Sequence, residues 1–190
     1  MAQSSENLQG YLEAVARFRR GNGNPPKGYH YTCTEDYVLD RGCLFSSAPL
    51  TEEEKKLLSK VIGSKKRRFP VKACFYNAQM LTLDDDTGTI QYCEGLAFPG
   101  RPVPIYHAWN IIHGKVIDLT WRTGKKSREH LGNRVIGGIP EGWAYYGAAF
   151  NQKTVRRSCL QSGFAQALLD DWMDKFPFFK QKRKDQHERI

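Results

Sequence analysis

Apolar positions recur at helical spacing in four stretches and at strand spacing in four others. Over residues 5–20, Leu8, Leu12, Val15, Ala16 and Phe18 form an approximate stripe, with Ser4 or Ser5 as a cap. Gly21-Asn22-Gly23-Asn24-Pro25-Pro26 breaks that helix, and residues 29–48 read as irregular. Thr51-Glu52-Glu53-Glu54 is a capping box that opens a second helix to about Ile62. A third starts at Cys74, where Cys74, Asn77, Ala78 and Leu81 share one face, and ends at Asp84-Asp85-Asp86-Thr87-Gly88. Residues 90–95, 104–112, 115–121 and 143–150 read as strands. Val155, Leu160, Phe164, Leu168, Leu169 and Trp172 predict a long amphipathic helix over 153–175, stopped by Pro177. Residues 122–142 are rich in glycine and read as a loop long enough to act as a lid. The expected domain is 1–176 with its core at 70–150, followed by a basic, mobile tail at 177–190.

Composition narrows the class. With 190 residues, 40% hydrophobic and 26% charged, the chain suits one soluble α+β domain with a real core. No apolar run nears the ~20 residues that span a bilayer, and the N-terminal stretch lacks the basic-then-apolar plan of a secretory signal. The expectation is therefore no membrane association and a cytoplasmic location. Five cysteines at low density suggest free thiols rather than a disulfide framework. Their spacing fits no zinc knuckle, so no metal and no cofactor is expected. A net charge of +9 is concentrated at Lys65-Lys66-Arg67-Arg68 and over 180–184. Those clusters are either solvated surface or a grip on nucleic acid or an acidic protein. No aromatic stacking signature accompanies them.

Chemistry enters through the hairpin. If His113-Gly114 is a two-residue turn, His107 and Asp118 are diagonal neighbours on one face, roughly 7–8 Å apart at the backbone. An odd-length turn would send them to opposite faces. Trp109 would share their face and could shield them from water. Cys74, at a helix start with unpaired N–H groups, is placed as a thiolate nucleophile. Its own N–H could serve a developing oxyanion. Asn77, Tyr92 and Trp109 are candidate further donors, and Glu94 is either a solvated strand residue or part of the site lining. Taken alone, a cysteine at a helix start is more often a small packed residue. His113 reads as a turn residue, and Cys93 as core.

The peptides Cys-Phe-Tyr-Asn-Ala at 74–78, Tyr-Cys-Glu-Gly at 92–95, His-Ala-Trp-Asn at 107–110 and Val-Ile-Asp-Leu-Thr-Trp at 116–121 together resemble the core of the transglutaminase-like superfamily. The resemblance covers about residues 70–121, with Tyr145-Tyr146-Gly147 as a further element. Ala73 stands where the family often has glycine, and no upstream glutamine for an oxyanion hole is evident. The resemblance implies a papain-like arrangement, an antiparallel sheet packed against the nucleophile-bearing helix, with extra helices at both ends. It implies Cys74 as nucleophile, His107 as general base and acid, and Asp118 as orienter. The implied activity is a hydrolase or acyltransferase that opens an amide or peptide bond through a thioester; the basic segments would let such an enzyme hold an acidic substrate. The competing reading is a non-catalytic binding module that uses the basic segments.

Overall fold

The computed structural model describes residues 2–64, 69–100, 103–123, 133–163 and 165–183. Lys65–Arg68, Phe164, residues 124–132 of the expected lid and residues 184–190 of the expected tail lie outside that set. The fold is α+β. Five helices, α1 (Ala2–Gly21), α2 (Thr34–Arg41), α3 (Glu52–Ser64), α4 (Cys74–Asp84) and α5 (Gln152–Ser162), pack around one sheet. Its strands are β1 (Cys43–Leu44), β2 (Ile90–Pro99), β3 (Ile105–Ile112), β4 (Lys115–Asp118), β5 (Val135–Ile136) and β6 (Trp143–Phe150). The six strands run in the order β1-β6-β2-β3-β4-β5, every neighbouring pair antiparallel.

Strand alternation divides the core between the two faces. One face presents Tyr92, Leu96, Ala108, Ala148 and Phe150 to Leu8 and Leu12 of α1, Ala78 of α4 and Val155 of α5. The other gathers Trp109, Ile111, Val116 and Tyr145 with Phe45, Val135 and Ile139. A third cluster joins Leu58, Val61 and Ile62 of α3 to Leu81, Ile90, Ile112 and Ile117. The capping box at α3 forms as expected: the Thr51 N–H donates to Glu54 Oε2 at 2.7 Å, and the Glu54 N–H to Thr51 Oγ1 at 3.3 Å. Glu54 also holds His113 Nδ1 at 2.9 Å and Lys115 Nζ at 2.8 Å, which fastens α3 to the β3–β4 turn.

Four expectations change. In α1 the buried face is Leu8, Leu12 and Ala16 at strict i, i+4 spacing, and Phe18 falls outside it at 67% exposed. The segment expected as irregular contains α2, with Glu35 and Asp36 in its first turn, Arg41 in its last, and Tyr37 and Val38 buried. It also contains β1, which can approach β6 only because Gly42 has no side chain; a Cβ there would lie 2.5 Å from the Gly147 carbonyl oxygen. The long helix expected over 153–175 ends at Ser162, because Gly163 takes a left-handed φ of 77° and its N–H closes on the Cys159 carbonyl. Leu160 and Trp172 are consequently exposed, at 79% and 70%, while Leu168 and Leu169 are buried by a non-helical strap. Finally, residues 177–183 of the expected tail are held in place. Pro177–Lys180 is a 3-10 turn, Phe179 is buried with its carbonyl accepting from His30 and Tyr31, and Arg183 donates to Asp36 at 2.6 Å.

Candidate active site

The β3–β4 hairpin turns on His113 and Gly114, both at positive φ (47° and 78°), the geometry that matches the twist of paired strands. Ile112 therefore faces Lys115, Ile111 faces Val116 and Asn110 faces Ile117. This is the even register, and it places His107 and Asp118 on one face. Their side chains meet, with His107 Nε2 2.8 Å from Asp118 Oδ2.

Asp118 is fully buried and every direction of its carboxylate is used. Oδ2 accepts from His107 and from the Tyr145 hydroxyl at 3.1 Å; Oδ1 accepts from the Thr120 N–H at 2.8 Å and the Trp121 N–H at 3.2 Å. Burial by itself would raise its pKa. The His107 charge and the two backbone donors outweigh that and hold it below the ordinary carboxylate range. His107 shows the mirror image. Only 1% of it is exposed, which favours the neutral ring, yet Asp118 and the Cys74 side chain push its pKa up to about 9. With Nε2 facing Asp118, Nδ1 is the nitrogen left for Cys74. Trp121 lies flat on the imidazole, 3.8 Å between centroids at 8°, and fixes the ring plane.

The start of α4 reaches this pair because β4 is short. Pairing with β4 covers only Asn110–Ile112, so β3 runs on through His107 beyond that partner. The chain after Asp118 ties the start of α4 into that gap. Asn77 Nδ2 donates to Thr120 Oγ1 and to the Pro70 carbonyl, both at 2.9 Å, and Arg134 donates to the Thr120 carbonyl at 2.7 Å. Lys72 at φ 64° makes the turn that leads into Cys74. Ala73 offers no side-chain cap, so the first-turn N–H groups of α4 receive none.

Not every expected site residue faces outward. Both Asn77 amide protons are committed to Pro70 and Thr120, which leaves none for a substrate oxygen. The Tyr92 hydroxyl donates to Glu94 Oε2 at 2.6 Å. Glu94 is neither solvated nor part of a lining: it is fully buried and accepts from Tyr92, from Tyr106, and from the N–H groups of Leu168 and Leu169, each at 2.7 Å. Burial lifts its pKa to about 7 against those donors. Trp109 shares the His107 face as expected and stacks beside the ring at 6.2 Å and 21°, with its Nε1 buried without a partner; Trp121 lies closer on the same ring. Tyr145 and Trp121 escaped sequence reasoning as site residues. The available signal was spacing: Trp121 follows Asp118 by three, and Tyr145 lies in a strand with inward-facing alternate positions.

All five cysteines are free. Burial raises the thiols of Cys33, to about 11, and of Cys93 and Cys159. Cys74 is the one close enough to a carboxylate-paired histidine for its side chain to help raise the imidazole's pKa. Beside the pair opens a groove of about 430 Å³, walled by Val71, Ile105, Trp121 and Trp143, with Lys72 and Arg122 at its rim.

No family model, curated protein or solved structure matches this chain. Among the described residues no group of three or more His, Cys, Asp and Glu is placed to hold a metal ion. Among them, too, no helix is long and apolar enough to cross a membrane.

Proposed function

We propose that this protein is a cysteine-dependent acyl-transfer enzyme with a transglutaminase-like core that opens an amide or peptide bond. The observation that carries the reading is the imidazole of His107, held 2.8 Å from a buried carboxylate and close enough to Cys74 for its side chain to help raise the ring's pKa. A cysteine at a helix start, on a helix packed against an antiparallel sheet that bears histidine and aspartate, supports the same conclusion. With a pKa of about 9 the ring is positive at neutral pH and stabilises a negative sulfur beside it. In this mechanism Cys74 Sγ attacks the carbonyl carbon, and first-turn N–H groups of α4 face the oxyanion. The C–N bond breaks as His107 passes its proton to the departing amine, leaving a thioester. Water or a second amine then attacks the thioester while His107 takes the proton, and the sulfur leaves. Asp118 keeps the ring oriented throughout. Five free thiols fit a reducing compartment, and a cytoplasmic location is part of the proposal.

The test is alkylation by substoichiometric iodoacetamide between pH 5 and 9, with the modified cysteine mapped by mass spectrometry. Selective labelling of Cys74 below pH 7, lost in His107→Ala, is the expected outcome. Equal, sluggish labelling of all exposed cysteines would sink the assignment, as would amide turnover that survives Cys74→Ala.

A further inference from the structure

The groove beside the triad has a chemical character of its own. Most of its walls come from segments that carry a triad member: Val71 and Lys72 lead into Cys74, Ile105 precedes His107 by two on the same face of β3, and Trp121 and Arg122 follow Asp118, while Pro99 and Trp143 come from β2 and β6. Trp121 is a shared wall, with its ring on His107 and also among the groove residues. Trp143 meets Trp121 at 5.8 Å and 89°, so two indoles in edge-to-face contact line the groove. Val71 and Ile105 add apolar surface. Among the described residues the two charged ones of the lining, Lys72 and Arg122, are both cationic, and no carboxylate lines it. Arg134 lies close enough to Arg122 for the two charges to repel, so positive potential extends past that end. Cation–π and ring–edge contacts favour an aromatic guest on such walls, and the rim charges favour an anion.

Resting on the acyl-transfer reading, we propose that this groove selects the acyl donor: an amide or peptide whose aromatic side chain lies against Trp121 and Trp143, flanked by a carboxylate that meets Lys72 and Arg122. The overall charge of +9 would draw any acid towards the protein, but only the groove predicts that acid and aromatic ring are needed together and that two rim residues read the acid.

The experiment uses chloromethyl ketones, in which the Cys74 sulfur displaces chloride and forms a thioether. N-acetyl-glutamyl-phenylalanyl, N-acetyl-lysyl-phenylalanyl and N-acetyl-glutamyl-glycyl chloromethyl ketones are compared on the whole chain. Each second-order rate is divided by the iodoacetamide rate of the same variant. The glutamyl-phenylalanyl reagent should lead the lysyl one by about tenfold, as two half-exposed charge contacts would give, and the glycyl one by about tenfold, as loss of one aromatic contact would give. In the double variant Lys72→Glu, Arg122→Glu the charge preference should invert, and Trp143→Ala should remove the aromatic preference. Selective iodoacetamide labelling of Cys74 without any peptide preference would overturn the groove and leave the acyl-transfer reading standing. A preference unchanged in the variants would place recognition elsewhere and also overturn it. Loss of selective iodoacetamide labelling itself would remove both.

Discussion

Replacing Asp118 by asparagine removes one charge and little volume, and the structure fixes how the amide must sit. Oδ1 accepts two backbone N–H groups, from Thr120 and Trp121, so an NH2 group cannot occupy that position. The amide oxygen stays there, and the NH2 takes the place of Oδ2, facing His107 Nε2 and the Tyr145 hydroxyl. A donor facing Nε2 forces the neutral ring to carry its proton on Nδ1, towards the sulfur, where it cannot accept the thiol proton. The size of the effect follows from the pKa of His107, about 9 against an ordinary 6.5. At 1.36 kcal/mol per tenfold step, that difference represents about 3 kcal/mol of preference for the imidazolium. Burial remains once the carboxylate is gone, so the ring should titrate below its ordinary value in the variant. The imidazolium at pH 7.5, nearly complete in the parent, should then be depleted by about tenfold or more. The assay is the iodoacetamide rate at Cys74 by mass spectrometry, with circular dichroism to confirm the fold. Labelling in Asp118→Asn within threefold of the parent at pH 7.5 would refute the argument.

Stability should depend on pH through the same pair. A histidine whose folded pKa is raised contributes stability that is fully present below 6.5 and is lost as pH rises through about 9. Urea midpoints should therefore fall between pH 7.5 and 9.5, by an amount equivalent to about 2 kcal/mol, and fall much less in Asp118→Asn; equal slopes would contradict it. Glu94 titrates lower: its raised carboxyl costs stability as pH climbs from 4.5 through about 7, so the two windows separate. Glu94→Gln must set an NH2 against one of two backbone donors, since Leu168 and Leu169 each use a different oxygen. It should lose about 2–3 kcal/mol and speed amide exchange over 165–171, and unchanged exchange there would count against the strap being held by Glu94. Gly147→Ala places a Cβ 2.5 Å from Trp109 Cη2 and 2.8 Å from the Glu94 carbonyl; a cost of about 1–3 kcal/mol with altered tryptophan emission is expected, and a thermal midpoint equal to the parent would argue against that packing.

What the sequence reveals here is what depends on local rules. A capping box names its helix because donor and acceptor are three residues apart, and Thr51–Glu54 does so. A two-residue turn dictates register, so His113-Gly114 alone brings His107 and Asp118 to one face. The errors are long-range. Periodicity over 153–175 is real, but Gly163 reverses the backbone, and Leu168 and Leu169 reach the core because Glu94, some 75 residues away, takes their N–H groups. Asn77 looks like a spare donor until Thr120 arrives from the chain beyond β4. Tyr92 is the local exception: its partner Glu94 is two residues along the same strand and on the same face. Residues 177–183 look polar and terminal, yet Phe179 and Arg183 find partners in the loop before α2 and in α2 itself.

The site depends on how two faces of one sheet are used. Alternation along β3 sends Ala108 and Asn110 towards α4, where the Asn110 amide donates to the Ala78 carbonyl and Thr82 Oγ1, and sends His107 and Trp109 the other way. A helix packed on one face could not ordinarily offer its first residue to a side chain on the opposite face. It can do so here because β4 stops at Asp118 and the chain leaves the sheet through Leu119–Trp121, so the far end of β3 is unpaired on that side and the start of α4 is bound there through Asn77 and Thr120. The same departure supplies the two backbone donors that keep Asp118 ionised and the indole that covers His107. Lengthening β4 by two paired residues would close the gap, remove those donors and separate Cys74 from the imidazole. Termination of a strand is therefore the feature on which the whole constellation rests. It also explains why the acid, the covering ring and one wall of the groove all derive from residues 118–122.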